Sequence, residues 1–271
     1  VQRQLADRGT EMKGLLESVE QLGQEKEWAI GEIDKLERAV NQLEAEREAV
    51  VLGPLDAVLD AFSPERLRDD VNMLADDVMG GRIPGSPGHL LARDYILAEM
   101  EAAGLAPLRL DGSYIQTWDA DPHEDRFMID ENGEVVPNAV DTGYNLIGAI
   151  PGSDPDLADE YIVMLAHYDH LGVDEQGNVF NGAFDNATGV AMGLEIARTF
   201  IAENIQPKRT LVFIFTDEEE SGLDGAKEWL QDPQIPDEEI VCAFSVDPVG
   251  RPVLPDFWPL AMMGLERSPA L

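Results

Sequence analysis

The sequence is poor in cysteine, in positive charge and in long apolar runs. A single cysteine, Cys242, stands among 271 residues, which excludes an intrachain disulfide and any cysteine-rich zinc site. Lys and Arg total 19 against 54 Asp and Glu, a formal net charge of −35, and only five of the cations are lysines. So little positive charge cannot release counterions from a nucleic acid or hold an anionic membrane surface, and neither is expected as a partner. No stretch nears the ~18 consecutive apolar residues of a membrane span. Histidine is scarce too, with only His89, His123, His167 and His170. Apolar residues are not scarce: at 44% they are too many for a disordered acidic chain. The length suits one or two domains with a full core. The chain opens Val1-Gln2-Arg3 without an initiator methionine and reads as a piece of something longer.

Residues 1–52 contain no proline and repeat at a 3–4 spacing through Leu5, Arg8, Met12, Leu15, Val19, Leu22, Lys26, Ala29, Ile33, Leu36, Val40, Leu43, Arg47 and Val50. Three of these are long cations whose stems can pack, and the rest are apolar. So narrow a stripe cannot be buried by one helix. The expectation is a coiled-coil helix over 1–52, with self-association through it. Gly53-Pro54 ends it, and residues 53–271 read as a separate catalytic domain.

The second region changes character. Ser63-Pro64 and Ser86-Pro87 are helix starts, an N-cap followed by proline at the first helical position. The first predicted helix turns Leu67, Val71, Leu74 and Val78 inward and stops at Gly80-Gly81. The second turns Leu91, Tyr95, Ala98 and Ala102 inward and closes at Gly104. Short strands with a turn at Asp130–Gly133 occupy 108–136. Four apolar runs follow, at 145–150, 161–166, 210–215 and 241–246, with helical patterns at about 187–203 and 223–231 between the last three. Buried strands alternating with helices predict an α/β class, a three-layer α/β/α arrangement on a largely parallel sheet.

Ligands of open α/β sheets bind beyond the carboxyl ends of the strands. The residues there are His167-Tyr168-Asp169-His170, Asp217-Glu218-Glu219-Glu220 and Asp247, with Asp185 opening the helix between the first two runs. One imidazole and several carboxylates thus converge on one sheet edge with no lysine among them. Such a cluster is costly unless cations neutralise it. Imidazole with carboxylate oxygen suits zinc, and two zinc ions sharing one carboxylate could activate a water for hydrolysis.

The segments Ala166-His167-Tyr168-Asp169, Phe184-Asp185-Asn186-Ala187-Thr188-Gly189, Glu219-Glu220-Ser221-Gly222-Leu223-Asp224-Gly225-Ala226 and Val246-Asp247-Pro248-Val249-Gly250 stand in that order. Together they resemble the zinc aminopeptidase family with cocatalytic metals. That family includes secreted bacterial leucine-type aminopeptidases and, more distantly, glutamate carboxypeptidase II and glutaminyl cyclase. Gly85-Ser86-Pro87-Gly88-His89 is similar to the start of its peptidase domain, so the resemblance covers about 60–271.

The resemblance implies two zinc ions and a set of roles. His167 and Asp247 would ligate the first metal, Asp185 would bridge, and Glu220 would ligate the second. Asp169 would orient the His167 imidazole, and Glu219 would be the general base. Three consecutive Glu leave the register to be argued, and only Glu219 with Glu220 fits the pattern Glu-Glu-x-Gly-Leu-x-Gly-Ser/Ala without a gap. The family's second metal also takes a late histidine, and no histidine follows Asp247. The expectation is a chain truncated before that ligand, with an incomplete second site, or else a degenerate site.

Of the remaining candidates, His89 reads as a surface or packing residue, His123 as part of a solvated loop, and His170 as structural in its turn. Asp217 and Glu218 read as a solvated acidic run, and Asp174 and Glu175 as loop charges. The activity so implied is removal of N-terminal residues from peptide substrates. A carboxypeptidase or glutaminyl cyclase on the same scaffold, and an inactive peptidase fold in a coiled-coil assembly protein, stay open beside it. Family kinship implies an extracellular, periplasmic or cell-envelope location.

Overall fold

The computed structural model describes residues 58–122, 125–138 and 142–250, together with Lys35. The coiled coil expected over 1–52 and the boundary at residue 53 lie outside the described residues. The chain divides into two units, Val1–Asp60 and Ala61–Leu271, and the second is described here.

Helix α1 (Pro64–Leu74) begins as its sequence requires, with the Ser63 hydroxyl accepting from the Arg66 N–H and Pro64 at the first position. It ends at Leu74 instead of running to Gly80. Asp76 there caps a separate 3-10 turn, Asp77–Arg82, and Val78 is left exposed. Helix α2 (Pro87–Ala103) is capped by Ser86 and closed by Gly104 in the left-handed region. Its buried stripe is His89, Ala92, Ile96 and Met100. The predicted stripe was rotated by one position, and Leu91 is exposed. An imidazole on the inward face hid the true stripe from an apolar count.

The strands are β1 (Ala106–Pro107), β2 (Ile115–Asp119), β3 (Phe127–Ile129), β4 (Val135–Pro137), β5 (Thr142–Ile150), β6 (Tyr161–His167), β7 (Thr210–Thr216) and β8 (Ile240–Ser245). Helices α3 (Thr188–Ala202) and α4 (Asp224–Gln231) lie between the later ones. All four apolar runs are strands. The main sheet runs β1-β5-β7-β6-β8, with β2 also on β5, and β3-β4 is a separate hairpin.

The class is α/β with helices on both faces, and the sheet is mixed. Parallel pairing is confined to β7-β6-β8, while β1, β2 and β7 all pair antiparallel with β5. The reason lies in the connection 151–160. It is too short for the helical crossover that a parallel return needs, so β5 and β6 run opposite ways.

Alternation along the strands sends side chains to two cores. Leu146, Ala166, Phe213 and Phe215 meet Ile96, Met100, Val190 and Leu194 on one face. Ile147, Val163, Val212 and Ile214 meet Trp229 and Ile235 on the other. Ion pairs fasten α1 and α2 to α3. Arg66 Nε donates to Glu195 Oε2 at 2.8 Å, and Arg198 Nη1 donates to Asp70 Oδ2 at 2.6 Å. The result is a rigid floor for the loops that leave β6, β7 and β8. Among the described residues no helix is long and apolar enough to cross a membrane.

Candidate metal centre

Strand β6 lies between β7 and β8, so the loop after His167 is flanked by the two others. Two hydrogen bonds carry the ladder beyond the strands, Tyr168 N to Thr216 O at 2.9 Å and Val246 N to Leu165 O at 2.8 Å. Asp185 arrives from the helical turn Ala183–Ala187 that leads into α3. The next residue locks that turn. Asn186 Oδ1 accepts from Gly189 N at 3.0 Å, and Asn186 Nδ2 donates to Val246 O at 2.8 Å. A Cβ on Gly189 would stand 2.4 Å from Asn186 Oδ1, so only glycine lets α3 start this close to the strand edge. The motif Asp185-Asn186-Ala187-Thr188-Gly189 is thus a hinge-free mount for one carboxylate.

The structure brings His167, Asp185, Glu219, Glu220 and Asp247 together. His167 is 3% exposed, and its Nε2 lies 3.1 Å from Asp185 Oδ1, 3.3 Å from Asp247 Oδ1 and 3.9 Å from Glu219 Oε2. Zinc bonds of about 2.0–2.1 Å in a tetrahedron place neighbouring donor atoms about 3.3 Å apart, so the first three atoms fit one ion. A second set, His170, Asp185 and Glu220, also has its donor atoms within 4.8 Å of one another. Asp185 belongs to both.

The electrostatics point the same way. Burial resists charging of His167, yet hydrogen bonds with Asp169 and Asp247, and the nearby Glu219 carboxylate, push its pKa up to about 11. Carboxylates gathered around one buried imidazole give the pocket a negative potential that a cation would neutralise. Burial also raises the Glu219 carboxyl above the usual range. His167 opposes this, and Asp169, Asp247 and Glu220 add to it.

Asp169 is fully buried and does more than face the imidazole. One oxygen lies 3.5 Å from His167 Nδ1, and its two oxygens accept the backbone N–H groups of Glu219 and Glu220 at 3.1 and 3.2 Å. It therefore sets the turn that carries both glutamates. Burial resists its ionisation, but His167 and these two N–H groups hold its pKa below the ordinary value.

Beneath the loops Arg82 is completely buried, and burial lowers its pKa to about 10 while Asp169, Asp185 and Glu220 hold it up. It donates to the carbonyls of Leu74, Tyr168, Asn181 and Gly182. One cation thus staples the loops bearing His170 and Asp185 to the helical layer.

Two expectations need correction. His170 is not merely a turn residue, since its Nδ1 lies 2.6 Å from Glu220 Oε1. The signal was available in the spacing His167-x-x-His170 after a strand end. Asp217 and Glu218 are no solvated run. They are 0% and 2% exposed, and Asp217 pairs with His89 Nε2 at 2.9 Å and accepts from Tyr144 N at 3.0 Å. Burial with satisfied partners is what lets acidic residues sit in the interior. His89 is a packing residue, one of its two expected roles, wholly interior and stacked 4.9 Å from the Tyr168 ring. Asp174 does stay in its exposed loop, accepting from Gln176 N and Asn178 N, while His123 lies outside the described residues.

Residues 145–266 match the family model for Peptidase family M28. A probable zinc metalloprotease of Pyrenophora tritici-repentis is 36% identical over 110 residues, covering 39% of this chain and 24% of that protein. A vacuolar membrane protease of Candida dubliniensis is 38% identical over 89 residues, 33% of this chain and 9% of that protein. The chain thus spans a quarter or less of the length of these curated relatives. A leucine aminopeptidase precursor from Bacteroides thetaiotaomicron superposes with a TM-score of 0.49 at 23% identity, covering 70% of this chain and 63% of that one.

The extracellular, periplasmic or cell-envelope location implied by the resemblance is overturned by the relatives from Candida species, which are named as vacuolar membrane proteases. The resemblance itself stands. Residues 145–266, which hold His167, Asp185, Glu219, Glu220 and Asp247, match Peptidase family M28, in keeping with the zinc peptidase resemblance of the motifs.

Proposed function

We propose that this domain is a zinc-dependent exopeptidase that removes N-terminal residues from peptides. The observation that carries the reading is Asp185, one carboxylate shared by two imidazole–carboxylate groups, with the unshared Glu219 beside them. His167, Asp185 and Asp247 would hold one zinc ion, and Asp185 and Glu220 would take part in holding a second. Zinc so bound supplies Lewis-acid polarisation of the scissile carbonyl and lowers the pKa of water.

The chain's own residues do the rest. Glu219 is 30% exposed, within reach of solvent, and burial raises its carboxyl above the ordinary value, which makes its carboxylate a stronger base. It takes the proton of the attacking water and returns it to the leaving amine. Asp169 keeps the His167 ring and the glutamate turn in one frame, so the base stays aligned with the ligands. Asp185 and Asp247 keep about half of their side chains open to solvent. A rim of carboxylate attracts a substrate's free α-ammonium group, whereas Arg82 beneath it is committed to four backbone carbonyls. That asymmetry favours a free N-terminus over a free C-terminus.

The test is a matched peptide series incubated with the zinc-loaded protein. Sequential loss of N-terminal residues is expected, abolished by N-acetylation and indifferent to C-terminal amidation. The reverse pattern would make the protein a carboxypeptidase. Ring closure of N-terminal glutamine without hydrolysis would make it a cyclase.

A further inference from the structure

We infer that Arg126, immediately before β3, is a positioning residue for the turn that carries Glu219 and Glu220. It holds the Glu220 peptide by its carbonyl, as Asp169 holds it by its N–H. The inference rests on the zinc reading above and adds a residue that lies outside the motifs and outside 145–266.

The turn shapes itself through short-range bonds. Gly222 N and Leu223 N both donate to Glu219 O at 2.9 Å, and Asp224 N donates to Glu218 O at 3.0 Å. Such bonds fix the form of the turn but not where it stands over the sheet. Contacts with distant segments do that. Asp169 accepts from Glu219 N and Glu220 N at 3.1 and 3.2 Å. Arg126 Nη2 donates to Glu220 O at 2.7 Å, a charge-assisted bond between residues 94 apart in sequence. The N–H and C=O of Glu220 are thus held by two different segments. Together they fix the direction of its Cα–Cβ bond, and so the aim of its carboxylate.

Arg126 can brace the turn because its own backbone is anchored. Its carbonyl accepts from Asn138 N at 2.9 Å, and the buried Asn138 donates from Nδ2 to Pro84 O at 3.1 Å. The next residue, Phe127, bridges antiparallel to Val173 and accepts from Val173 N at 3.1 Å. A Cβ on Gly172 would collide with Phe127 O, so the hairpin lies directly on the chain there. Val173 stands six residues beyond His167, in the loop that leaves β6. The β3-β4 hairpin therefore rests on the loop after β6, while Arg126 reaches the loop after β7. One side chain ties the loop of Asp169 to the turn of Glu219 and Glu220.

The test compares Arg126→Ala and Arg126→Lys with the native chain. Lysine supplies the single donor that the carbonyl needs, and alanine supplies none. Amide hydrogen exchange of the zinc-free proteins reads the turn directly. Exchange over 218–223 should rise about tenfold in Arg126→Ala and stay near native in Arg126→Lys. Zinc titration against a competing chelator should show affinity weakened about 10–100-fold in Arg126→Ala, again recovered by lysine. kcat for peptide hydrolysis should fall over the same range with KM within about twofold. Unchanged exchange over 218–223 in Arg126→Ala would overturn the inference, as would native zinc affinity. A raised KM at native kcat would overturn it by making Arg126 a substrate contact. Equal losses in both variants with a lowered melting point would overturn it by reducing Arg126 to a structural part of the hairpin. If the native chain takes up no zinc, the zinc reading falls, and the exchange result alone then upholds or overturns the role of Arg126.

Discussion

The domain contains two buried histidine–aspartate pairs, and they behave differently. His89 and Asp217 are both 0% exposed. The His89 ring is closed on both sides, with Nδ1 accepting from Gly85 N at 3.0 Å and Nε2 donating to Asp217. Asp217 is closed as well, accepting from Tyr144 N and Glu218 N. His167 and Asp169 are just as buried, but only the Nδ1 side is closed. Nε2 opens onto Asp185, Asp247 and Glu219, three carboxylates with no cation among them. A histidine beside an aspartate is therefore not a site in itself. What makes one is a second nitrogen facing a cluster of carboxylates.

The open pair should be the one whose loss kills activity. Glu219→Gln removes the proton acceptor and keeps the metal donors, so kcat should fall by roughly 10²–10⁴-fold while zinc content stays native. Steady-state kinetics beside elemental analysis measures both. Loss of zinc in this variant, or native kcat, would show that Glu219 is not the base.

The closed pair should answer in stability. His89→Ala leaves the Asp217 carboxylate short of its imidazole partner and opens a void beside Tyr168. A loss of about 3 kcal/mol in denaturant unfolding is expected, with zinc stoichiometry unchanged. If His89→Ala instead stripped zinc at native stability, the two pairs would be one functional unit.

Asp169→Asn tests the hinge between the two. Its amide can accept through one oxygen only, so one of the two glutamate N–H groups loses its partner. A drop of about 10–100-fold in zinc affinity is expected, larger than its effect on the unfolding midpoint. The smallest effect on catalysis belongs to the N-terminal segment. Removal of residues 1–52 should convert an associating species to a monomer by sedimentation and leave kcat within about twofold, the segment being proposed as a coiled coil separate from the domain at 53–271. An unchanged sedimentation coefficient would dismiss that proposal.

Much of this arrangement was readable beforehand because it rests on local rules. Each of the four apolar runs became a strand, since each is too short for a helix and too apolar for a loop. Both Ser-Pro starts became capped helices, because a cap is a contact across three residues. The α2 stripe was misjudged, as a buried imidazole does not look apolar. Asp217 and Glu218 were misjudged for a related reason, since four consecutive residues of equal charge look alike until one finds His89 across the fold. His170 was missed because its partner lies fifty residues on, at a distance that only the order of β6 and β7 makes short.

Residue type and spacing alone determined that an imidazole and several carboxylates would gather at the carboxyl ends of buried strands, since strand polarity and chain order are properties of the sequence. The tertiary structure decided which of those groups face each other. Asp169 became the support of the glutamate turn, Asp185 came to serve two groups at once, and His89 and His167 were divided into a closed ring and an open one. These outcomes depend on hydrogen bonds of 2.6–3.3 Å between segments far apart in the chain. Such contacts form only after the sheet has set the strand order, and no local pattern encodes them.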